Sequence, residues 1–310
     1  TMMFSDLSRC QPATALSPTR RKYHWQTIPY ETEEHDGVML STGPETKTPD
    51  VTLPLGVSGW HAIYLGLWGL PGQDFWRSRT QDDGVTLRLS GDDCFVTICR
   101  EEPNYLTLDE RFWQVADLTG QDIVFRQHSK GMPRRAYPAY IKLVPLTPEQ
   151  VEAVQRERAR RDTRRLIGVA MEGDDFFAGQ FPITREEIWE TIEPFRHTDF
   201  GKLLWCTGGG ADVCTYPPRI GQIECIEPMD RPRPIDRLKG ESLHTLLGQG
   251  IDPLAEAVAY AHRLGLELHA QVRLGAWQMS PPSKRPTPAA SGGNIPSGVV
   301  WIGRVVRSRA

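Results

Sequence analysis

Paired cysteine spacing is missing from this chain, and so is any apolar run long enough to cross a membrane. The six cysteines, at positions 10, 94, 99, 206, 214 and 225, are scattered without a CxxC pair. That excludes a zinc ribbon and a dense disulfide framework, and Cys94 and Cys99 read as small apolar residues of a strand. Neither sign of charge dominates: 36 Lys and Arg stand against 39 Asp and Glu, a net charge of −3. Such a balance gives no general attraction to nucleic acid or to an anionic membrane. No GxSxG elbow occurs, and Gly208-Gly209-Gly210 is not followed by the lysine and helix of a phosphate loop. His262 and His269 lie seven residues apart across a helix–strand boundary, which is no metal-ligand spacing. The sequence therefore predicts no cofactor and no metal. The N-terminus lacks the apolar core of a secretory signal; starting at Thr1, it assigns the cytoplasm only by default and leaves localisation open.

What is present divides the 310 residues into two classes of pattern. Residues 1–21 are polar, with Pro12 and Pro18, and read as a flexible arm. From Lys22 to Leu146 short strand-like runs are divided by Gly, Pro, Asp and Ser: Val51–Leu55, His61–Leu67, Val85–Leu89, Phe95–Cys99, Ile123–Arg126 and Tyr140–Val144. Val85, Leu87 and Leu89 alternate with Thr86, Arg88 and Ser90 before a Gly91-Asp92-Asp93 turn. Two antiparallel sheets packed as a jelly-roll-like sandwich satisfy this pattern. Trp60, Trp68, Trp76 and Trp113 fall in this part, as core residues or as surfaces on which sugar rings stack.

Thr147-Pro148-Glu149-Gln150 then opens a helix with a capping box and proline at its first position. The helix runs to about Arg164, a connector over 147–165; its arginines are interleaved with Glu152, Glu157 and Asp162, as on a solvated, ion-paired surface. Beyond it the pattern is α/β, over 166–278. Leu166–Met171 is a nearly continuous apolar run, suited to a strand buried on both faces. Thr184 and Glu187 cap a helix reaching Phe195, and Lys202–Thr207 reads as a second strand. Asp252 and Pro253 start a helix with Leu254, Val258, Ala261 and Leu264 on one stripe, and Gly265 ends it. Leu266 to Arg273 then alternates, with Leu266, Leu268, Ala270 and Val272 against Glu267, His269, Gln271 and Arg273. The polar row either meets water on an open sheet or lines the lumen of a barrel. Residues 279–310 have no periodicity and read as an irregular tail, although Val299–Val306 is strand-like.

YIKLVPLT, RARRDTRRLIG, TDFGKLLW, GADVCTYP and DPLAEAVAYAHRLGLELHAQVRLGAW together carry a likeness. The chain resembles uncharacterised bacterial glycoside-hydrolase-like proteins in which a jelly-roll-like sandwich precedes a (β/α)₈ barrel. That resemblance implies a multidomain, all-β then α/β protein acting on poly- or oligosaccharide. A complete barrel takes eight strands and typically ~250 residues, whereas about three units are present here, so the expectation is a truncated, incomplete barrel. The paired carboxylates of such hydrolases lie on later strands, and catalytic residues stay unassigned; Asp174 and Asp175 read better as turn residues. The candidate substrate-binding residues are Asp175, Asp212, Tyr216, His269, Gln271 and Arg273, with Trp205 and Trp277 as an aromatic wall or as core. The alternative is a non-catalytic carbohydrate-binding or interaction module carried by the sandwich. An unclosed barrel would leave the Leu266–Arg273 edge open to self-association.

Overall fold

The computed structural model describes residues 1–43, 46–69, 84–101, 108–127, 135–171, 181–208, 213–219, 222–223 and 234–271. The strands in chain order begin with β1 (Met2–Phe4), β2 (Leu16–Ser17), β3 (Trp25–Glu31), β4 (Asp36–Ser41), β5 (Val51–Leu53) and β6 (Trp60–Leu67). They continue with β7 (Gly84–Leu89), β8 (Val96–Cys99), β9 (Asp109–Asp117), β10 (Ile123–Arg126) and β11 (Pro138–Pro145). The second part holds β12 (Leu166–Met171), β13 (Phe200–Cys206), β14 (Val213–Cys214), β15 (Gln222–Ile223) and β16 (Glu267–Gln271). Its helices and the connector are α1 (Pro148–Ala159), α2 (Arg185–Trp189), α3 (Pro234–Gly248) and α4 (Pro253–Arg263).

Two four-stranded antiparallel sheets, β1-β11-β6-β9 and β5-β10-β7-β8, face each other. Alternate residues of each fill one core: Ile63, Leu65, Ile141 and Leu143 from the first, Leu53, Leu87, Ile123 and Phe125 from the second. Burying each such side chain stabilises the fold by about 1.5–3 kcal/mol. The expected alternation of Val85, Leu87 and Leu89 is present, and all three are buried. β3 and β4 form a hairpin that lays Tyr30 and Met39 against Tyr140 on the outer face of the first sheet.

The N-terminal segment is not a loose arm. β1 pairs with β11, Met2 to Leu143 and Phe4 to Ile141, and Gln11 exchanges both backbone hydrogen bonds with Thr52 at 2.7 and 2.8 Å. Leu7 and Cys10 are wholly buried in the sandwich core. Two apolar residues in a polar stretch suffice to anchor it, because the partners that complete their burial are distant in sequence.

The second part is a parallel sheet, β12-β13-β16, as the βα order requires. Helices cover one of its faces, where Leu203, Trp205 and Leu266 meet Ile188, Leu243, Leu246, Ala257 and Tyr260. Strand β12 is therefore not buried on both faces: Ile167 is 63% and Val169 50% exposed. Nothing among the described residues closes the sheet into a barrel. Helix α2 stops at Trp189 and a 3₁₀ turn over Glu193–Phe195 follows, since Pro194 has no N–H with which to continue a helix. The connector α1 keeps its capping box and buries no residue, as its charge pattern demands. Residues Thr1–Ala276 make one compact unit; the expected tail lies outside the described residues.

Gly66 is fixed by close packing. A Cβ there would lie 2.2 Å from Cε1 of Tyr140, whose ring crosses the strand at that point. Gly66→Ala is expected to lower stability by about 1–3 kcal/mol through overpacking, checked by the urea midpoint of the variant.

Candidate functional site

The polar row of β16 owes its position to the cap that precedes it. Asp252 Oδ1 accepts from the backbone N–H groups of Leu254 and Ala255 at 2.9 and 3.1 Å, and Pro253 fills the first helical turn of α4. Gly265, at φ +72°, turns the chain in the left-handed region so that Leu266 enters the core at once. On the face that no described helix covers, Glu267 lies beside Lys202 and His269 beside Leu204. Glu267 Oε2 is 3.2 Å from His269 Nε2 and 3.5 Å from Lys202 Nζ. The His269 hydrogen bond, then Lys202, holds this carboxyl below its ordinary range. The expected apolar row thins out: Leu266 is buried, Leu268 half-buried and Ala270 exposed, and Val272 lies outside the described residues.

At the C-terminal rim, Thr207 ties two strands and a loop together. Its N–H and Oγ1 donate to the Gln271 carbonyl at 3.0 and 3.2 Å, and its own carbonyl accepts from Thr215 N–H at 2.9 Å. Gln271 and Tyr216, which follows Thr215, thus sit at the same end of the sheet, both half-buried. Burial, then Cys214, lifts the Tyr216 phenol above its ordinary pKa. His269 lies further down the strand, engaged by Glu267. Asp175, Asp212 and Arg273 lie outside the described residues, as do Asp174 and Trp277. Trp205 is core, 1% exposed, and is no aromatic wall. The carboxylate that the described residues bring to this face is Glu267; among the described residues none stands paired with it across the face, as the two carboxyls of glycoside hydrolysis do.

A second cluster was not foreseen from the sequence. Tyr260 donates to Glu193 Oε2 at 2.5 Å and accepts from Arg196 Nη2 at 3.0 Å, while Cys94 Sγ lies 3.4 Å from the same hydroxyl. Cys94 belongs to the sandwich sequence but is buried in the α/β core. Trp189 stacks on Tyr260 with centroids 5.0 Å apart, and Arg263 lies over both rings and reaches Asp93 at 3.4 Å. Burial pushes the Cys94 thiol up to about 12 and the Tyr260 phenol far above its usual range. Both groups therefore remain protonated and neutral. Beside them a groove of about 520 Å³ separates α2 from the outer face of the second sandwich sheet. In its wall Arg126 bonds Asp50 at 2.8 Å, stands 3.9 Å from Glu190 and stacks 3.7 Å over Phe95. The signal missed was the β8 approach, where Cys94 and Phe95 precede the strand and point away from the sandwich core.

Tyr260→Phe takes the phenol donor from Glu193 Oε2, leaving Arg196 on Oε1 alone, and is expected to cost about 1–3 kcal/mol, read as a lowered urea midpoint. His197, at φ +58°, sits among Arg158, Arg196 and Arg164. Desolvation, then those cations, lowers its pKa from 6.5 to about 4. Between those values the unfolded chain binds a proton that the folded chain refuses, so stability falls as pH drops from 6.5 towards 4. His197→Asn, which tolerates the left-handed backbone, should flatten that decline; urea midpoints at pH 7.5, 5.5 and 4.5 check it.

Comparison of the chain with family models, with curated proteins and with solved structures found no match.

Proposed function

We propose that this chain is a glycoside-hydrolase-like carbohydrate-active protein: a jelly-roll-like sandwich followed by βα units of the (β/α) barrel type. The observation that carries the reading is the parallel sheet β12-β13-β16 with its described helices on one face and Glu267, His269 and Gln271 in a row on the other. In a barrel that bare face turns into the lumen, and the C-terminal rim holds the substrate. Tyr216 and Gln271 supply hydroxyl and amide groups there, of the kind that bond sugar hydroxyls. Asp175, Asp212 and Arg273 follow strand or loop positions of the same rim in sequence. The role assigned to Tyr216 and Gln271 is binding of an oligosaccharide. Its outer strands β12 and β16 have free edges among the described residues, and self-association is assigned to them.

The test is calorimetric titration of the chain with cello-, xylo-, manno- and malto-hexaose, set beside reducing-sugar release from the parent polysaccharides. Binding of at least one hexaose is expected, weakened about 2–10-fold by Gln271→Ala and by Tyr216→Phe, the loss of one hydrogen bond each. A hexaose that binds equally well to both variants would overturn the assignment.

A further inference from the structure

The outer face of the first sandwich sheet carries a row that no part of the parallel-sheet reading uses. Met3, Lys142, Tyr64 and Phe112 are direct cross-strand neighbours on β1, β11, β6 and β9. With strands about 4.8 Å apart, the row crosses the whole sheet. Phe112 is 54% exposed, a large ring left in water on a sheet whose other aromatics are at least half-buried. Its centroid lies 5.5 Å from that of Tyr64, and the two rings meet edge to face.

The surroundings shape this row into a trough. At one end of the strands the β3–β4 hairpin rises, with His35 packed 4.9 Å from Tyr140. At the other, Arg158 of the connector lies 5.4 Å over Trp60 and donates to the Val115 carbonyl. Between the two walls the floor runs across the strands and is open at both sides. A chain-like ligand fits that shape better than a globular partner does.

The charge on the floor decides the class of ligand. Lys142 Nζ is 2.7 Å from Glu110 Oε1, and Glu110 also accepts from Tyr140 at 2.9 Å. The ammonium lies 5.3 Å over the Tyr64 ring, which fixes it beside the aromatic pair. Positive and negative charge cancel locally, so neither a polyanion nor a basic peptide is attracted. What remains is a donor and an acceptor side by side, next to the exposed ring of Phe112. Apolar C–H faces for the rings and paired hydroxyls for the ion pair are the two halves of a pyranose ring.

From this geometry we propose a second carbohydrate site, on the sandwich, in which a neutral polysaccharide chain lies along the trough and stacks on Phe112, whose ring Tyr64 supports edge to face, with Lys142 and Glu110 bonding its hydroxyls. The site is independent of the rim at Tyr216 and Gln271. Affinity gel electrophoresis of the full chain in gels containing hydroxyethylcellulose, xylan or galactomannan tests it. Retardation is expected in at least one gel, reduced about tenfold or more in affinity by Phe112→Ala and by Tyr64→Ala, and kept by Phe112→Trp. Retardation lost in Gln271→Ala but kept in Phe112→Ala would place the sugar on the parallel sheet and overturn the proposal. So would the absence of retardation in all three gels. Phe112 is exposed, so Phe112→Ala should melt as the parent chain does; light scattering in which that variant alone becomes smaller would make the face an interface between copies, again overturning the proposal.

Discussion

One phenolic oxygen, that of Tyr260, joins three parts of the chain that the sequence keeps far apart. It binds the carboxylate of Glu193 and the guanidinium of Arg196 after α2, and it meets the thiol of Cys94 from the sandwich. Burial lowers the tendency of Arg196 to hold its proton, but Glu193 at 2.6 Å more than offsets this, and the pair stays charged within a wall of rings. A buried ion pair of this kind is costly unless its remaining donors and acceptors are engaged. The phenol completes that engagement. Because Cys94 contributes to the α/β core, the helices on the parallel sheet cannot pack fully unless the sandwich is present.

The same constraint positions the rim. Arg164, leaving the connector, donates to the carbonyls of Leu264 and Gly265 at 3.1 Å and so closes the C-terminal end of α4 from the other side of the fold. With α4 capped at both ends, β16 starts at a fixed point and its polar row falls opposite Lys202 and Leu204. The exposed face of the sheet is thus a consequence of where its helices are held.

Local signals were legible in the sequence. Thr147, Thr184 and Asp252 cap helices as their spacing demands, and Leu166–Met171 and Ile123–Arg126 are strands with the bounds that composition suggests. Features that depend on distant partners were not. Strands β3, β4 and β9 and helix α3 escaped because their apolar residues are few or irregularly spaced, and β1 gains its register only from β11. Burial of β12 on one face follows from the number of neighbouring strands and helices, which the run LIGVAM does not encode. Of the candidate site, Tyr216 and Gln271 lie at the same end of the sheet, where Thr207 bonds the Gln271 carbonyl and the N–H of Thr215. His269 lies lower, held by Glu267, and Trp205 belongs to the core. The Phe112 row and the Tyr260 cluster were invisible for the same reason: register across strands and packing across the junction place residues together that lie up to 166 positions apart.

Three buried, unpaired cysteines report on the three parts of this account: Cys10 in the sandwich core, Cys206 in the parallel sheet and Cys94 at the junction. Pulsed thiol labelling across a urea series, read cysteine by cysteine by mass spectrometry, follows all three in one sample. If the Tyr260 cluster makes the two cores one cooperative unit, the three thiols become reactive at the same urea concentration. Exposure of Cys206 and Cys94 at a clearly lower concentration than Cys10 would contradict it, and would mean that the sandwich stands without the α/β part.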